Sequence, residues 1–193
     1  MRGWMTGGIS GLALLTASAG RAEVQALSEA GFVSHNEAEV AATPAEIWAL
    51  LLRPSEWWSD AHTYSGSAGN MTIEAEVDGC FCETLPSGDG VPAGRIEHMR
   101  VIYFAPHSTL RMTGALGPLQ SEAVTGVLTV TIEPAASGSK IVWDYAVGGY
   151  MRMPTDQMAA LVDQVLGGPV RSPGREAPPL ILRIPVSVSV CYA

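Results

Sequence analysis

Only three cysteines, Cys80, Cys82 and Cys191, occur in the chain. So small and odd a number excludes the disulfide framework that organises many small secreted domains. No stretch approaches the ~20 apolar residues of a membrane-spanning helix, so no membrane span is expected. Basic residues are also scarce, with 11 Lys and Arg against 19 Asp and Glu and a net charge of −8. No basic patch and no alternation of basic with aromatic residues is visible, and an acidic surface repels a phosphate backbone, so nucleic acid is not an expected partner. The glycine groups Gly88-Asp89-Gly90 and Gly148-Gly149 match no phosphate-binding fingerprint in spacing or context, and no cofactor is expected. No serine or cysteine stands in a Gly-flanked turn of the kind that exposes a nucleophile. There is no internal repeat.

What is present begins with an N-terminal address. Arg2 gives a positive start, Ile9 to Ala17 an apolar middle, and Ala17-Ser18-Ala19 or Gly20-Arg21-Ala22 a small-residue cleavage site. This pattern reads as a secretory signal peptide over residues 1–22, with a periplasmic or secreted product starting near Glu23; the alternative is a cytoplasmic protein with an N-terminal extension. Losing Arg2 and Arg21 with the leader makes the mature chain more acidic still.

The body is organised around a hairpin. Val124 to Ile132 and Ile141 to Val147 are rich in β-branched and aromatic residues, and Pro134 to Ser139 separate them. Thr125, Thr129 and Thr131 alternate with Leu128, Val130 and Ile132, so one face is wet and the other packs on something apolar. A two-stranded ribbon is not stable alone, so further strands and a covering helix are required.

The remaining elements follow in order. After a polar helical lead at Ala26–Ala30, Gly31–Val40 reads as a strand. Thr43-Pro44-Ala45-Glu46 is a capping box with proline at the first helical position, and predicts a helix over Pro44–Leu52 that stops before Pro54. Ser55 to Trp58 reads as a further turn capped by Ser55. Met71–Val77 alternates cleanly, Asp78-Gly79 signals a turn, and Cys80–Leu85 is the return strand. Arg95–Phe104 and Thr109–Thr113 are two more strands. Met158, Leu161, Val162, Val165 and Leu166 have helical spacing, and Gly167-Gly168-Pro169 is expected to end that helix after about three turns. The last 27 residues hold five prolines, three arginines and one acid, the composition of a poorly ordered or recombined end, although Leu180–Val190 has the pattern of an edge strand.

This order of elements, together with Thr43 to Trp48, Trp57-Trp58, Thr63-Tyr64-Ser65-Gly66, Gly79 to Glu83, Glu97-His98-Met99 and Gly148-Gly149-Tyr150, resembles the START-like (SRPBCC) superfamily. Within it, the chain resembles the bacterial proteins similar to the activator of heat-shock chaperone ATPase. The resemblance covers residues 32–166. It implies an α+β helix-grip domain over residues 23–166, with a curved antiparallel sheet of six to seven strands around a C-terminal helix and an apolar cavity between them. It also implies three functions. The first is a carrier or sensor of a small hydrophobic molecule; the alternatives are a polyketide cyclase/aromatase-like enzyme and a chaperone-cofactor module that binds protein.

Candidate ligand-binding residues are Trp57, Trp58, Tyr64, Glu83, His98, Arg100, Trp143 and Tyr150. Aromatic groups with a polar edge line pockets and orient amphiphilic ligands, although each single ring is more often simply part of the core. His98 and Arg100, two apart, are placed on one strand face, where a carboxylate such as Glu83 would orient the imidazole; the plainer reading is a solvent-facing cross-strand pair. Cys80 and Cys82 share a strand face but are expected ~6.6 Å apart at Cα, marginal for a bridge. With Glu83 and His98 they have the donor types of a soft metal site. No second cysteine pair completes it, free cysteines are commonly small buried hydrophobes, and no metal is expected.

Overall fold

The computed structural model describes residues 21–170. Residues 1–20 of the expected leader (1–22) and residues 171–193 of the expected tail (167–193) lie outside the described residues. Eight strands and two helices follow in the order β1 (Arg21–Ser28), β2 (Gly31–Val40), α1 (Pro44–Leu51), β3 (Met71–Ile73), β4 (Cys80–Leu85), β5 (Gly94–Ala105), β6 (Thr109–Gly114), β7 (Ala123–Ala135), β8 (Gly138–Tyr150) and α2 (Thr155–Val170). The strands form one curved, unclosed antiparallel sheet in the order β1-β2-β8-β7-β6-β5-β4-β3, and α2 lies across its concave face chiefly over β1 and β2. This is the helix-grip arrangement, with one strand more than expected. The extra strand is β1: Arg21–Ser28 pairs with β2 from Arg21↔Glu37 to Ser28↔Gly31, where Ala26–Ala30 had read as a helical lead. The pairing to β2 overrides a weak local preference for helix.

The period-2 pattern places the core. In β7, Leu128, Val130 and Ile132 are buried while the threonines between them are half-exposed; in β8, Ile141, Trp143, Tyr145 and Val147 face the same way. Gly126 stands opposite Val147, and a Cβ there would lie 2.4 Å from Tyr145 Cε2. The missing side chain is what lets the Tyr145 ring lie flat in the core. Its hydroxyl donates to Gly114 O at 3.1 Å and accepts from Leu116 N at 3.2 Å, and burial pushes its pKa up to about 12.

The capping box forms as expected, with Glu46 N donating to Thr43 Oγ1 at 3.3 Å and Thr43 N donating to Glu46 Oε2 at 2.8 Å, worth ~1 kcal/mol. It starts α1 so that Ile47, Trp48, Leu50 and Leu51 are buried. The chain then makes a 3-10 turn at Pro54–Glu56, which has no side-chain cap; Ser55 lies inside the turn rather than in front of it.

Two further expectations are corrected. The strand predicted over Met71–Val77 ends at Ile73, and Val77 is exposed. Residues 78 and 79 pair instead with β5, through Asp78 N to Val101 O at 2.9 Å and Val101 N to Gly79 O at 2.8 Å, so their backbone is not available to continue the β3–β4 ladder. Helix α2 runs through Gly167-Gly168-Pro169 to Val170. Met158, Ala159, Val162 and Leu166 are buried beneath it, and this packing outweighs the ~1 kcal/mol that a glycine costs in a helix. Leu161, predicted on the apolar stripe, faces outward.

Candidate functional site: the concave face

Bulges in β5 decide what the concave face carries. Across β4, Phe81 faces Met99 and Cys82 faces Glu97, which leaves His98 as an extra residue. Across β6, Val101 faces Met112 and Tyr103 faces Arg111, which leaves Ile102 as a second. An extra residue bends a strand and re-aims its side chains. His98 and Met99 are consequently both buried, and Arg100 turns outward. The expectation that His98 and Arg100 share a face is therefore wrong. Arg100 instead pairs with Glu97 and donates to Asp78 O at 3.0 Å on the outer side.

Glu83 and His98 lie together in the interior, with side chains 0% and 3% exposed and His98 Nε2 3.0 Å from Glu83 Oε2. Glu83 also accepts from Tyr64 N at 3.1 Å and from Ser65 N, so it ties the polar segment 63–67 to the sheet. Desolvation works to raise the Glu83 pKa, but the hydrogen bonds from Ser65 and Tyr64 and the contact with His98 outweigh it and hold the carboxyl below its ordinary range. Desolvation lowers the His98 pKa against the opposing pull of Glu83. At neutral pH the carboxylate only accepts and the imidazole is neutral, so its proton sits on Nε2.

The aromatic residues form a continuous file across this face. Trp143 meets Trp57 with centroids 5.3 Å apart, Trp57 meets Trp58 at 5.5 Å, Trp58 meets Phe81 at 5.8 Å, Phe81 meets His98 at 5.3 Å, and His98 meets Tyr64 at 6.0 Å. The first three contacts are edge-to-face, the preferred arrangement for rings. Trp57 Nε1 donates to Leu50 O at 3.1 Å and Trp58 Nε1 to His62 O at 2.8 Å. Six of the eight candidate residues are thus brought into one group. Arg100 is on the opposite face, and Tyr150 is exposed at the end of β8.

At the Trp143 end lies a polar island that the sequence reading missed. Ser34 and Asn36 of β2 are fully buried. Ser34 Oγ donates to Asp163 Oδ1 of α2 at 2.7 Å, and Asn36 Nδ2 donates to Ser34 Oγ at 3.0 Å. Asn36 Oδ1 and Trp143 Nε1 are buried without a hydrogen-bond partner, and the two residues stand directly opposite one another on β2 and β8. The signal was in the alternation of β2: Glu37 and Glu39 on one face put Ser34 and Asn36 on the other, the dry one.

Cys80 and Cys82 occupy the outer side of β4, opposite in direction to Phe81 and Glu83, and are joined by a disulfide with Cα atoms 5.3 Å apart. That is closer than an ideal strand allows, because the ladder is irregular at this point. Among the described residues no group of three or more His, Cys, Asp or Glu is placed to hold a metal, and no helix is long and apolar enough to cross a membrane. The outer face carries a separate open depression of about 520 Å³, lined by residues that include Leu27, Val33, Val127 and Ala146.

No family model and no curated protein matches the chain. Among solved structures it is similar to protein MLL2253 from Mesorhizobium loti, at 18% identity over 68% of this chain and 86% of that one, with a TM-score of 0.47. It is similar to the conserved protein of unknown function EF2215 from Enterococcus faecalis, at 15% identity over 76% and 73% of the two chains, with a TM-score of 0.47. CalU16 from Micromonospora echinospora is similar at 10% identity over 75% of each chain, with a TM-score of 0.45.

Proposed function

We propose that the protein binds a small, mainly apolar molecule between the concave face of the sheet and α2, as a carrier or sensor. The observation that carries this reading is the polar island of Ser34, Asn36 and Asp163 at the helix–sheet contact. Burying a hydroxyl and an amide there, beside the half-buried Asp163 carboxylate, is costlier than packing apolar side chains, and a few convergent polar groups in an apolar, ring-lined interior are what orient a ligand. The bound molecule lies beside Trp143 and Trp57, with the file of rings behind it.

Freshly purified protein, extracted with organic solvent and weighed by native mass spectrometry, should release a small apolar compound. If stripped, it should take up the neutral fluorophore N-phenylnaphthylamine saturably, with energy transfer from its tryptophans. Protein that arrives empty and shows no saturable uptake overturns the reading.

A second reading rests on the contact between Glu83 and His98. A neutral imidazole with its Nε2 proton fixed by a carboxylate presents Nδ1 as a base, the arrangement expected of an enzyme that moves protons on a bound substrate. It requires that a His98→Gln variant bind the same molecule yet fail to alter it. Unchanged turnover in that variant removes it.

We also propose a site of action outside the cytoplasm. The leader-like N-terminus supports it, and so does the Cys80–Cys82 disulfide, because such bonds persist in oxidising compartments. Mass spectrometry of the mature N-terminus tests it: a chain that starts at Met1 in the native host counts against it.

A further inference from the structure

Asn36 Oδ1 and Trp143 Nε1 are a buried acceptor and a buried donor, both unpartnered, on residues paired across neighbouring strands of the concave face. Asn36 is 0% and Trp143 2% exposed. The direction of the Asn36 amide is fixed by its neighbours. Ser34 Oγ gives its proton to Asp163, so it can only accept from Asn36, which turns Nδ2 towards Ser34 and leaves Oδ1 as the free end. The Trp143 indole has a single polar hydrogen, so its unpaired group is a donor without ambiguity.

From this we infer that the ligand carries a hydroxyl group, which donates to Asn36 Oδ1 and accepts from Trp143 Nε1, on an apolar ring-sized body that lies against Trp143 and Trp57. The inference rests on the ligand-binding reading above and names the class of molecule bound. A hydroxyl is the simplest group that does both tasks. A carbonyl accepts but does not donate, and leaves Asn36 unpaired. An ammonium donates but does not accept, and leaves Trp143 unpaired. A carboxylate would stand beside the Asp163 carboxylate, which already serves this island. A site whose buried polar groups are completed by a hydroxyl discriminates against the analogue that lacks it, because both groups then stay unpaired in a dry setting.

The test compares two neutral probes of matched size, naphthol and methylnaphthalene, by equilibrium dialysis against the full chain. Two new hydrogen bonds to neutral partners predict that naphthol binds about tenfold more tightly. In a Trp143→Phe variant, which keeps an aromatic ring but has no N–H, the ratio of naphthol to methylnaphthalene affinity should shrink severalfold, whatever the smaller ring does to the affinity for both. Circular dichroism establishes that the variant is folded, and the comparison in the unmodified protein stands without it. Equal binding of the two probes overturns the inference and leaves the ligand-binding reading standing; the two polar atoms are then met by water alone. An undiminished preference in the Trp143→Phe variant also overturns it. Failure of both probes to bind removes the ligand-binding reading itself.

Discussion

His98 reaches Glu83 because β5 holds one residue more than β4 between their shared rungs. Phe81 faces Met99, Cys82 faces Glu97, and the residue left over is turned inward to within 3.0 Å of the carboxylate. The contact therefore depends on a local fault in the ladder, and the same contact fastens the segment that carries Tyr64 and Ser65.

Acid should weaken the fold in two stages. The folded His98 has a pKa below its ordinary value, so the unfolded chain takes up a proton that the native one refuses, and stability falls as pH drops below ~6.5, by up to ~1.4 kcal/mol per pH unit. Glu83 has its pKa lowered as well; its contribution is present above the unfolded value of ~4.3 and is lost as pH falls through the folded one. Urea titrations across this range should show a His98→Gln variant with a flatter profile between about pH 6.5 and 5. Identical profiles for the two proteins would refute the assignment.

Replacing Glu83 by glutamine keeps the shape but turns one acceptor oxygen into a donor that opposes the N–H groups of Tyr64 and Ser65. A loss of about 2–4 kcal/mol is expected, with the amides of residues 64 and 65 exchanging hydrogen much faster than in the parent. Unaltered exchange at those two positions would show that something else holds the segment.

The Cys80–Cys82 bond closes a ring across a sequence separation of only 2. So short a loop restrains the unfolded chain little, and reduction should cost no more than ~1–2 kcal/mol. Alkylation of unfolded, unreduced protein should tag one cysteine, Cys191; three tags would mean that the two β4 cysteines are free thiols.

Gly126→Ala tests how the core is filled. The added methyl would meet the Tyr145 ring at distances that no relaxed contact allows, and the ring is pinned at its hydroxyl by Gly114 and Leu116. Overpacking of this kind should lower stability by ~3 kcal/mol. A melting temperature within a degree of the parent would show that Tyr145 can move aside.

Much of this architecture was legible in the chain. The alternation over Val124–Ile132 and the capping box at Thr43 placed β7, β8 and α1, because each signal is local and its physics is complete within a few residues. The failures were non-local. Nothing near Gly167 announces that the burial of Val162 and Leu166 will carry the helix onward. Nothing near His98 marks it as surplus, since a bulge is a relation between two strands, and one surplus residue puts His98 and Arg100, expected on one face, on opposite faces. The ring file could be anticipated as a set, but not its sequence of contacts. The alternation of β2 places Ser34 and Asn36 on the dry face, but nothing local gives them a partner until α2 brings Asp163 to them.

The hydrogen bonding of β2 to β8 has a consequence for how the molecule is made. Its rungs join positions 99 to 117 residues apart, from Val40↔Ser139 to Gly31↔Gly148. During synthesis the first hairpin must therefore wait, with Phe32 still wet, until nearly the whole body has left the ribosome. Pairings so distant along the chain are slow to find, so the last event of assembly should be the docking of the N-terminal ribbon together with the helix that covers it.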